Sequence, residues 1–348
     1  MKRLCVALVA IASFAIGVQA QDQFTVIAPG LQSPRGLTFA PGGRLYAAVA
    51  GSGGNTGKII EIRNPWNASP PIREVVTGLI STGGNGEFVG VDGISAEGNG
   101  NIKAIMAESI AATGLSGTQI GHLLKVNTAG EVKTLADVGD FDYAWSSQRI
   151  NLAPHDFPDA NPYGVLAQPG ATYVADAGTN TLDLVRPNGT IKVLAYFPNN
   201  VIADSTPTCI AKGPDGALYV GTLALVDSLV FGHKAVVYRV DLSQTDPNSE
   251  SKILSVAKPW ATGLWPINGC AFGPDGTFYA SQLITNQQFS GGDVVKIAFA
   301  HPDQPPVSLT GATLTFPAGV AVGPDRAVYV SNGSAEVPFG EIVRLNNR

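Results

Sequence analysis

The sequence predicts an all-β fold, a six-bladed β-propeller with four antiparallel strands per blade. Three observations support this prediction. A phrase recurs six times along the chain, two further strand-like segments follow the copies, and strand-like segments at the two ends of the chain complete one blade between them. Seven blades or an open solenoid are the alternatives that such a repeat allows.

Each copy of the phrase predicts a β-hairpin. It starts with alternating apolar residues, turns through Pro-Asp-Gly or a relative of it, and returns through a segment that usually contains Tyr, as in KGPDGALYVGTL at 212–223 and FGPDGTFYASQL at 272–283. Alternation turns one face of each strand toward a core. Proline presets the backbone of the turn, and Asp-Gly supplies its positive φ. The copies are anchored at Gly36, Gly93, Gly164, Cys209, Gly269 and Gly319.

The chain ends predict how the ring closes. After Gly319 there is room for a hairpin and one more strand, EIVRL at 341–345, so the last blade lacks its fourth strand. The segment FTVIA at 24–28 precedes the first hairpin and resembles the other outer strands. We therefore expect residues 24–28 to complete the last blade and remove a free sheet edge.

The first twenty residues have the pattern of a secretory signal peptide. Lys2 and Arg3 precede an apolar segment, and Val18 and Ala20 are small residues at a cleavage position. Export is expected, to the periplasm or outside the cell, with one propeller domain over 21–348. Loss of Lys2 and Arg3 changes the net charge from -5 to -7. Such a charge disfavours nucleic acid as a partner, and no later apolar segment is long enough to span a membrane.

Of the three cysteines, Cys209 and Cys270 lie in the mature chain. Both fall on inner strands of neighbouring blades, but they are one position out of register with each other. Alternation along a strand would then turn them to opposite faces. The sequence thus predicts two buried thiols rather than a disulfide.

One face of the disc is the candidate binding face. The turns between first and second strands are short, whereas the loops between second and third strands vary widely, and function tends to lie on variable loops. We call this side the loop-rich face. Polar residues predicted at its strand ends are the candidate ligand-binding residues Glu108, Tyr163, Asp176, Asn180, Thr222 and Gln282, and the candidate metal ligands Asp92, Asp176, Asn268 and Asn332.

Two interpretations of these polar residues are open. Carboxylates and amides that converge at a channel mouth suit a divalent cation such as Ca²⁺, with Zn²⁺ as the other candidate. The alternative, which the sequence favours, is that they cap strand ends and hold turns. The long segment 139–164 approaches the same face and carries His155 as a further candidate ligand, although a single His in a Pro-rich loop is more often structural.

Common catalytic motifs are absent from the sequence. GSGGNTGK at 51–58 is not a phosphate loop, because Ser52 stands at the position of its first Gly and Ile59 at the position of the magnesium-binding Ser or Thr. There is no G-x-S-x-G nucleophile elbow and no H-E-x-x-H zinc motif.

The block from DANPYGVLAQPGATYVADAGTNTL to GPDGALYVGTLALVDSLVFGHKAVVYRVDL, roughly 159–242, resembles the ScyD/ScyE family of exported propellers, and the phrase DAGTN also resembles NHL repeats. The resemblance implies a six-bladed propeller in the bacterial envelope or outside the cell. For the namesake proteins it implies an accessory role with small aromatic precursors of the pigment scytonemin in cyanobacteria.

Two functions follow as hypotheses. The first is an exported binding or accessory propeller that holds a small molecule or a protein partner on its loop-rich face. The second is a metal-assisted enzyme, similar to propeller lactonases or lyases, with a channel-mouth cation as Lewis acid and a carboxylate or His155 as base. The sequence favours the first, because several blades offer only Thr or Ser as ligands.

Overall fold

The structure is a computed structural model that describes residues 23–84, 87–98, 100–198, 201–335 and 339–346. Six antiparallel sheets stand around a central channel as the blades of a β-propeller, which confirms the predicted fold class. The predicted signal peptide and the start of the mature chain at Gln21 lie outside the described residues. Within the described ranges, no helix is both long and apolar enough to cross a membrane.

The first strand along the chain, β1 (Phe24–Leu31), belongs to the last blade. Blade 1 consists of β2 (Pro34–Ala40), β3 (Arg44–Val49), β4 (Gly54–Ile62), β5 (Ile72–Gly84) and a short fifth strand, β6 (Glu87–Val89). Blade 2 consists of β7 (Val91–Ala96), β8 (Ile102–Met106), β9 (His122–Val126) and β10 (Val132–Asp137). Blade 3 consists of β11 (Pro162–Gln168), β12 (Ala171–Asp176), β13 (Thr181–Val185) and β14 (Ile191–Tyr196).

The remaining blades follow the same plan, with the first strand of each innermost. Blade 4 consists of β15 (Pro207–Lys212), β16 (Leu218–Thr222), β17 (Ala235–Val240) and β18 (Lys258–Leu264). Blade 5 consists of β19 (Ile267–Phe272), β20 (Phe278–Gln282), β21 (Asp293–Ile297) and the two-residue β22 (Val307–Ser308). Blade 6 consists of β23 (Val320–Val322), β24 (Val328–Asn332) and β25 (Gly340–Leu345), with β1 as its outer strand.

Ring closure occurs as the sequence predicts. Strand β1 pairs antiparallel with β25, so that Val26 lies opposite Val343. The inner strands contact one another in the order β2, β7, β11, β15, β19, β23 and again β2. The first and last segments of the propeller are thus held in one sheet.

The recurring Asp and Tyr of the repeat stabilise each other. In blade 4 the buried Tyr219 hydroxyl donates to the Asp215 Oδ2 atom at 3.2 Å, and Asp215 also accepts from Arg239 Nε at 2.8 Å. In blade 6 Tyr329 donates to Asp325 in the same way, at 2.9 Å. A buried phenol needs a partner for its hydroxyl, and the turn aspartate four residues earlier supplies one.

The loop-rich face carries α1 (Ile110–Thr113), α2 (Val138–Ser147), α3 (Leu225–Phe231) and the 3-10 turn Ile150–Leu152. The 3-10 turn Leu242–Gln244 and α4 (Glu250–Ile253) lie in the connection between β17 and β18, where α4 packs against β14. Helix α2 occupies part of the segment 139–164 that the sequence presents as a loop. The Asp137 side chain accepts from the backbone N–H of Asp140 at 3.1 Å and so caps the helix start. The Gly and Asp residues of this segment thus begin a helix.

Close packing of the inner strands explains the anchor glycines. A Cβ atom on Gly93 would lie 2.4 Å from the carbonyl oxygen of Tyr163 in the next blade, and one on Gly269 would lie 2.2 Å from that of Ala318. No side chain fits in such a space. Glycine at the anchor therefore lets adjacent inner strands touch around the channel.

The prediction of two separate thiols is wrong, because Cys209 and Cys270 form a disulfide. Neighbouring inner strands are staggered. A Cβ on Gly36 would meet both Asp92 O at 2.9 Å and Ile94 N at 3.0 Å, which flank the next anchor. At the fourth anchor the side chain of Cys209 is likewise directed at 268–270. Because neighbouring inner strands are staggered in this way, two cysteines that are offset by one position in the repeat lie opposite each other and can form a disulfide.

Candidate functional site

The residues just before the six anchors form one ring at the loop-rich end of the channel. Four of them, Asp92, Tyr163, Thr208 and Asn268, line a cavity of about 70 Å³. Arg35 precedes the first anchor and contacts this group, and Ala318 completes the ring. We call Arg35, Asp92, Tyr163, Thr208 and Asn268 the channel mouth. Each comes from a different blade, so the closed ring is what brings them together.

Arg35 joins three blades at the channel mouth and is only 5% exposed. Its Nη2 atom donates to the carbonyl oxygen of Phe88 at 2.7 Å, and its Nη1 atom donates to Tyr163 Oη at 3.4 Å. The Nε atom lies 3.9 Å from Asp92 Oδ1. Phe88 belongs to β6, so the extra hairpin of blade 1 supplies an acceptor for the guanidinium. A cation and a carboxylate therefore lie side by side under this hairpin.

Tyr163 connects Arg35 to the far side of the channel mouth. Burial raises the pKa of the Tyr163 phenol, which the neighbouring Arg35 charge and hydrogen bonds from Arg35 and Asn268 only partly offset. The phenol is thus a neutral hydrogen-bonding group at physiological pH. The side chains of Arg35, Tyr163 and Asn268 together offer hydrogen-bond donors and acceptors to a small molecule.

Two members of the channel mouth also stabilise the fold. The backbone N–H of Gly90 donates to Asp92 Oδ1 at 3.2 Å. Thr208 Oγ1 donates to the carbonyl oxygen of Ile267 at 2.7 Å and so ties blade 4 to blade 5. Thr208 thus acts mainly as a clamp between inner strands, and its hydroxyl is less available to a ligand than the side chains of Tyr163 and Asn268.

Asp176 ends strand β12 and Asn180 follows it in the loop of blade 3, and neither lines the channel-mouth cavity. Asp176 is buried, and its Oδ1 atom accepts from the backbone N–H groups of Asn161, Gly178 and Thr179 at 2.8, 3.0 and 2.8 Å. Asn180 has a φ of 60° and holds the next loop through the backbone N–H of Thr206 at 2.9 Å. Both side chains make the contacts of turn caps.

The other candidates are spread over the loop-rich face. Thr222 bonds both backbone groups of Val236, and Asn332 bonds Glu341 and the N–H of Thr315. Gln282 is buried at the edge of a separate cleft between blades 4 and 5. Glu108 has a φ of 71° and donates its backbone N–H to Asn161 Oδ1, whereas His155 is exposed on a turn.

The predicted metal ligands divide into two groups. Asp92 and Asn268 meet at the channel mouth, whereas Asp176 and Asn332 are the last residues of β12 and β24 and do not line its cavity. Among the residues that the structure describes, no three His, Cys, Asp or Glu side chains are grouped so that they could hold a metal ion. The cation next to Asp92 is the guanidinium of Arg35.

The structure also reveals a group of three buried carboxyl groups that sequence reasoning missed. Asp142 of α2, Asp176 and Asp183 are all 0% exposed. Burial, and then the neighbouring Asp183 and Asp176 charges, raise the pKa of Asp142 well above its ordinary value; burial, and then the Asp176 charge, do the same for Asp183. These groups fasten α2 to blade 3 while at least partly protonated.

No family model and no curated protein matches this sequence. The ScyD/ScyE resemblance therefore stays a prediction.

Solved structures share the fold. Virginiamycin B lyase from Staphylococcus aureus matches with a TM-score of 0.51 and 13% identity over 93% of this chain and 90% of that chain. Regucalcin from Agrobacterium tumefaciens, a calcium-binding protein, matches with a TM-score of 0.56 and 13% identity over 94% of this chain and 95% of that chain. A gluconolactonase from Xanthomonas campestris matches with a TM-score of 0.56 and 9% identity over 92% of this chain and 89% of that chain. At these identities the chain is similar to them in fold, that of a six-bladed propeller.

Proposed function

We propose that this protein is an exported ligand-binding propeller, and that its channel mouth holds a small, uncharged molecule rich in hydroxyl or carbonyl groups. The observation that carries the proposal is the convergence of Arg35, Asp92, Tyr163 and Asn268, from four different blades, at one end of the channel. A few convergent polar groups on a rigid scaffold are typical of a small-molecule site.

Charge and size decide the class of ligand. Arg35 and Asp92 lie 3.9 Å apart and largely cancel each other's charge, so a ligand anion would compete with Asp92 and a ligand cation with Arg35. The cavity of about 70 Å³ accommodates one polar group rather than a whole molecule. We infer that the ligand inserts a hydroxyl or carbonyl group between Tyr163 and Asn268 while its body lies against the loops.

Two features support export. The first twenty residues have the charge and hydropathy pattern of a secretory leader. The Cys209–Cys270 disulfide fits an oxidising compartment, because cytosolic thiols are kept reduced. Together with the ScyD/ScyE resemblance, they favour an accessory role in metabolism outside the cytoplasm.

Binding can be tested on purified 21–348 with a panel of sugars, polyols and lactones, first by thermal shift and then by calorimetry. Asn268→Ala and Tyr163→Phe each remove one hydrogen-bonding group from the channel mouth, so we expect each to raise the Kd of a bound compound about tenfold. Asn248→Ala, which removes an exposed amide, is the control and should leave the Kd unchanged. Equal affinity in all four proteins contradicts the proposed site.

A second candidate is a metal-assisted lactonase or lyase, favoured by the carboxylate of Asp92 and the amide oxygen of Asn268 at one channel end. The same fold serves a lyase and a gluconolactonase, which is an argument by analogy only. The test is elemental analysis with melting curves before and after chelation, followed by a lactone-hydrolysis assay of wild type and Asp92→Asn. Stoichiometric Ca²⁺ or Zn²⁺ together with turnover that Asp92→Asn abolishes favours this candidate. Metal-free protein without turnover eliminates it.

A further inference from the structure

The face of the disc opposite the loops carries a second concavity, much larger than the channel mouth. Inner-strand residues three positions after their anchors open into it together with the Pro-containing turns of blades 1, 4, 5 and 6. Its volume is about 770 Å³, within the usual range of ligand pockets. We call it the turn-face funnel, and its principal lining side chains are Phe39, Lys212, Phe272, Val322 and Arg326.

An apolar ring separates the funnel from the channel mouth. It consists of the residues one position after each anchor, which are all between 5% and 8% exposed: Leu37, Ile94, Val165, Ile210, Cys270 and Val320. The lining residues of the funnel and those of the channel-mouth cavity, all within the described ranges, do not overlap. The funnel is therefore a site of its own.

The apolar wall of the funnel is rigid. Phe39 packs edge-on against the buried Tyr329 with ring centroids 5.1 Å apart. Phe272 packs against Tyr219 at 5.0 Å and Phe278 at 5.1 Å. Both phenylalanines stay partly exposed toward the funnel. A surface held in place by the core loses little entropy when an apolar ligand covers it.

The turn aspartates of blades 4, 5 and 6 have hydrogen-bond partners within their own blades. Asp215 accepts from Tyr219 and Arg239, Asp325 accepts from Tyr329 and Arg344, and Asp275 accepts from Thr277. The side chains that line the funnel include Pro214, Pro274 and Pro324 but none of these carboxylates. In blades 4 and 6 an arginine of the same blade thus neutralises the turn aspartate, and in blade 5 Thr277 holds Asp275.

Two cations remain on the wall. Lys212 Nζ donates to the neutral Gln168 Oε1 at 3.2 Å, and both Lys212 and Arg326 are exposed. Within the described parts of the chain neither forms a salt bridge, although Arg326 lies near enough to Asp275 to contribute, after the bonds to Thr277, to lowering its pKa. The apolar wall thus carries two cations, although the net charge of the protein is -5.

We infer that the turn-face funnel binds a small amphipathic anion, an apolar body that bears one carboxylate or sulfonate. The body covers Phe39, Phe272 and Val322, and the anionic group lies between Lys212 and Arg326. Charge complementarity selects an anion, while burial of the body supplies most of the binding free energy. This site is independent of the channel mouth, where an uncharged ligand is expected.

The test uses the propeller, residues 21–348, with 1-naphthoate as probe, and 1-naphthalenemethanol and 1-naphthylmethylamine as neutral and cationic probes of similar size. We expect saturable one-to-one binding of 1-naphthoate, and binding of the other two weaker by about tenfold or more. Lys212→Gln and Arg326→Gln should each raise the Kd for 1-naphthoate about fivefold to tenfold, and the double variant should raise it further. Lys133→Gln, an exposed substitution on the outer strand of blade 2, is the matched control and should leave it unchanged.

Three results overturn the inference. They are equal affinity for the three probes, an unchanged Kd in the double variant, and weakening by Asn268→Ala instead, which would place 1-naphthoate at the channel mouth. Because Lys212 and Arg326 are exposed, their variants should keep the wild-type melting temperature. Loss of binding without loss of folding is therefore measurable.

Discussion

Cys209 and Cys270 form a disulfide that joins the inner strands of blades 4 and 5 at the wall of the channel. In the other blades a glycine stands at the position of Cys209, and bare backbone contacts between neighbours close the ring. At this one junction a covalent bond replaces the glycine contact. The disulfide therefore acts together with the backbone contacts between inner strands to hold the ring closed.

Removing this bond should destabilise the propeller. The two cysteines are 61 residues apart, for which loop closure predicts a contribution of about 4 kcal/mol to the free energy of unfolding. Urea unfolding of the wild type and of Cys209→Ser/Cys270→Ser should show a loss of about 2 to 4 kcal/mol in the double variant. Adding a reductant should lower the stability of the wild type alone. Equal unfolding midpoints for the wild type and the double variant would mean that the bond does not support the ring.

The contact between anchors predicts a contrast between two glycines. A Cβ on Gly93 would lie 2.4 Å from Tyr163 O, whereas one on Gly98 has nothing within 4 Å. Gly93→Ala should therefore cost about 2 to 4 kcal/mol of unfolding free energy, because neighbouring strands must separate, while Gly98→Ala should change it by less than about 0.5 kcal/mol. Thermal and urea unfolding of both variants provide the comparison. A neutral Gly93→Ala would refute the tight contact between blades 2 and 3.

The buried carboxyl groups predict that stability falls as the pH rises. Burial raises the pKa of Asp142 and Asp183 above that of an unfolded aspartate, so the folded state holds protons that the unfolded state has released. Their favourable contribution is complete below the unfolded pKa, near 4, and is lost as the pH rises toward the folded pKa values. Each such proton gives a slope of about 1.4 kcal/mol per pH unit.

Asp142→Asn tests this prediction because it is neutral at every pH. Urea unfolding between pH 5 and 8 should show a smaller decline than in the wild type, and greater stability than the wild type at pH 8. Asp303→Asn, an exposed substitution, is the control and should follow the wild type. If Asp142→Asn reproduces the wild-type pH profile, protonation of the buried Asp142 is not the cause of the decline in stability.

Most of the fold is predictable from the repeated phrase in the sequence. Glycine anchors, Pro-Asp-Gly turns and a strand at each chain end predict hairpins, blade number and closure, because each depends on local backbone chemistry. Residue placement across blades was harder to predict. The stagger between inner strands decides whether Cys209 meets Cys270, and alternation within one strand does not report it.

The candidate site was predicted in part. Asp92, Tyr163 and Asn268 were chosen as strand-end polar residues and do meet at one cavity. Arg35 was missed, although it stands just before Gly36 as Asp92 stands before Gly93, so comparing that single position across the six copies would have found it. Asp142 lies in a segment whose Gly, Pro and Asp residues predict a loop, and only the docking of α2 brings it against Asp176.

The most direct test of the central claim is a crystal structure of residues 21–348 with the tightest uncharged ligand from the sugar, polyol and lactone panel. The account predicts a hydroxyl or carbonyl oxygen of that ligand within hydrogen-bonding distance of both the Tyr163 hydroxyl and the Asn268 amide. A ligand seated elsewhere, with those two side chains bonded only to each other and to Arg35, would contradict it.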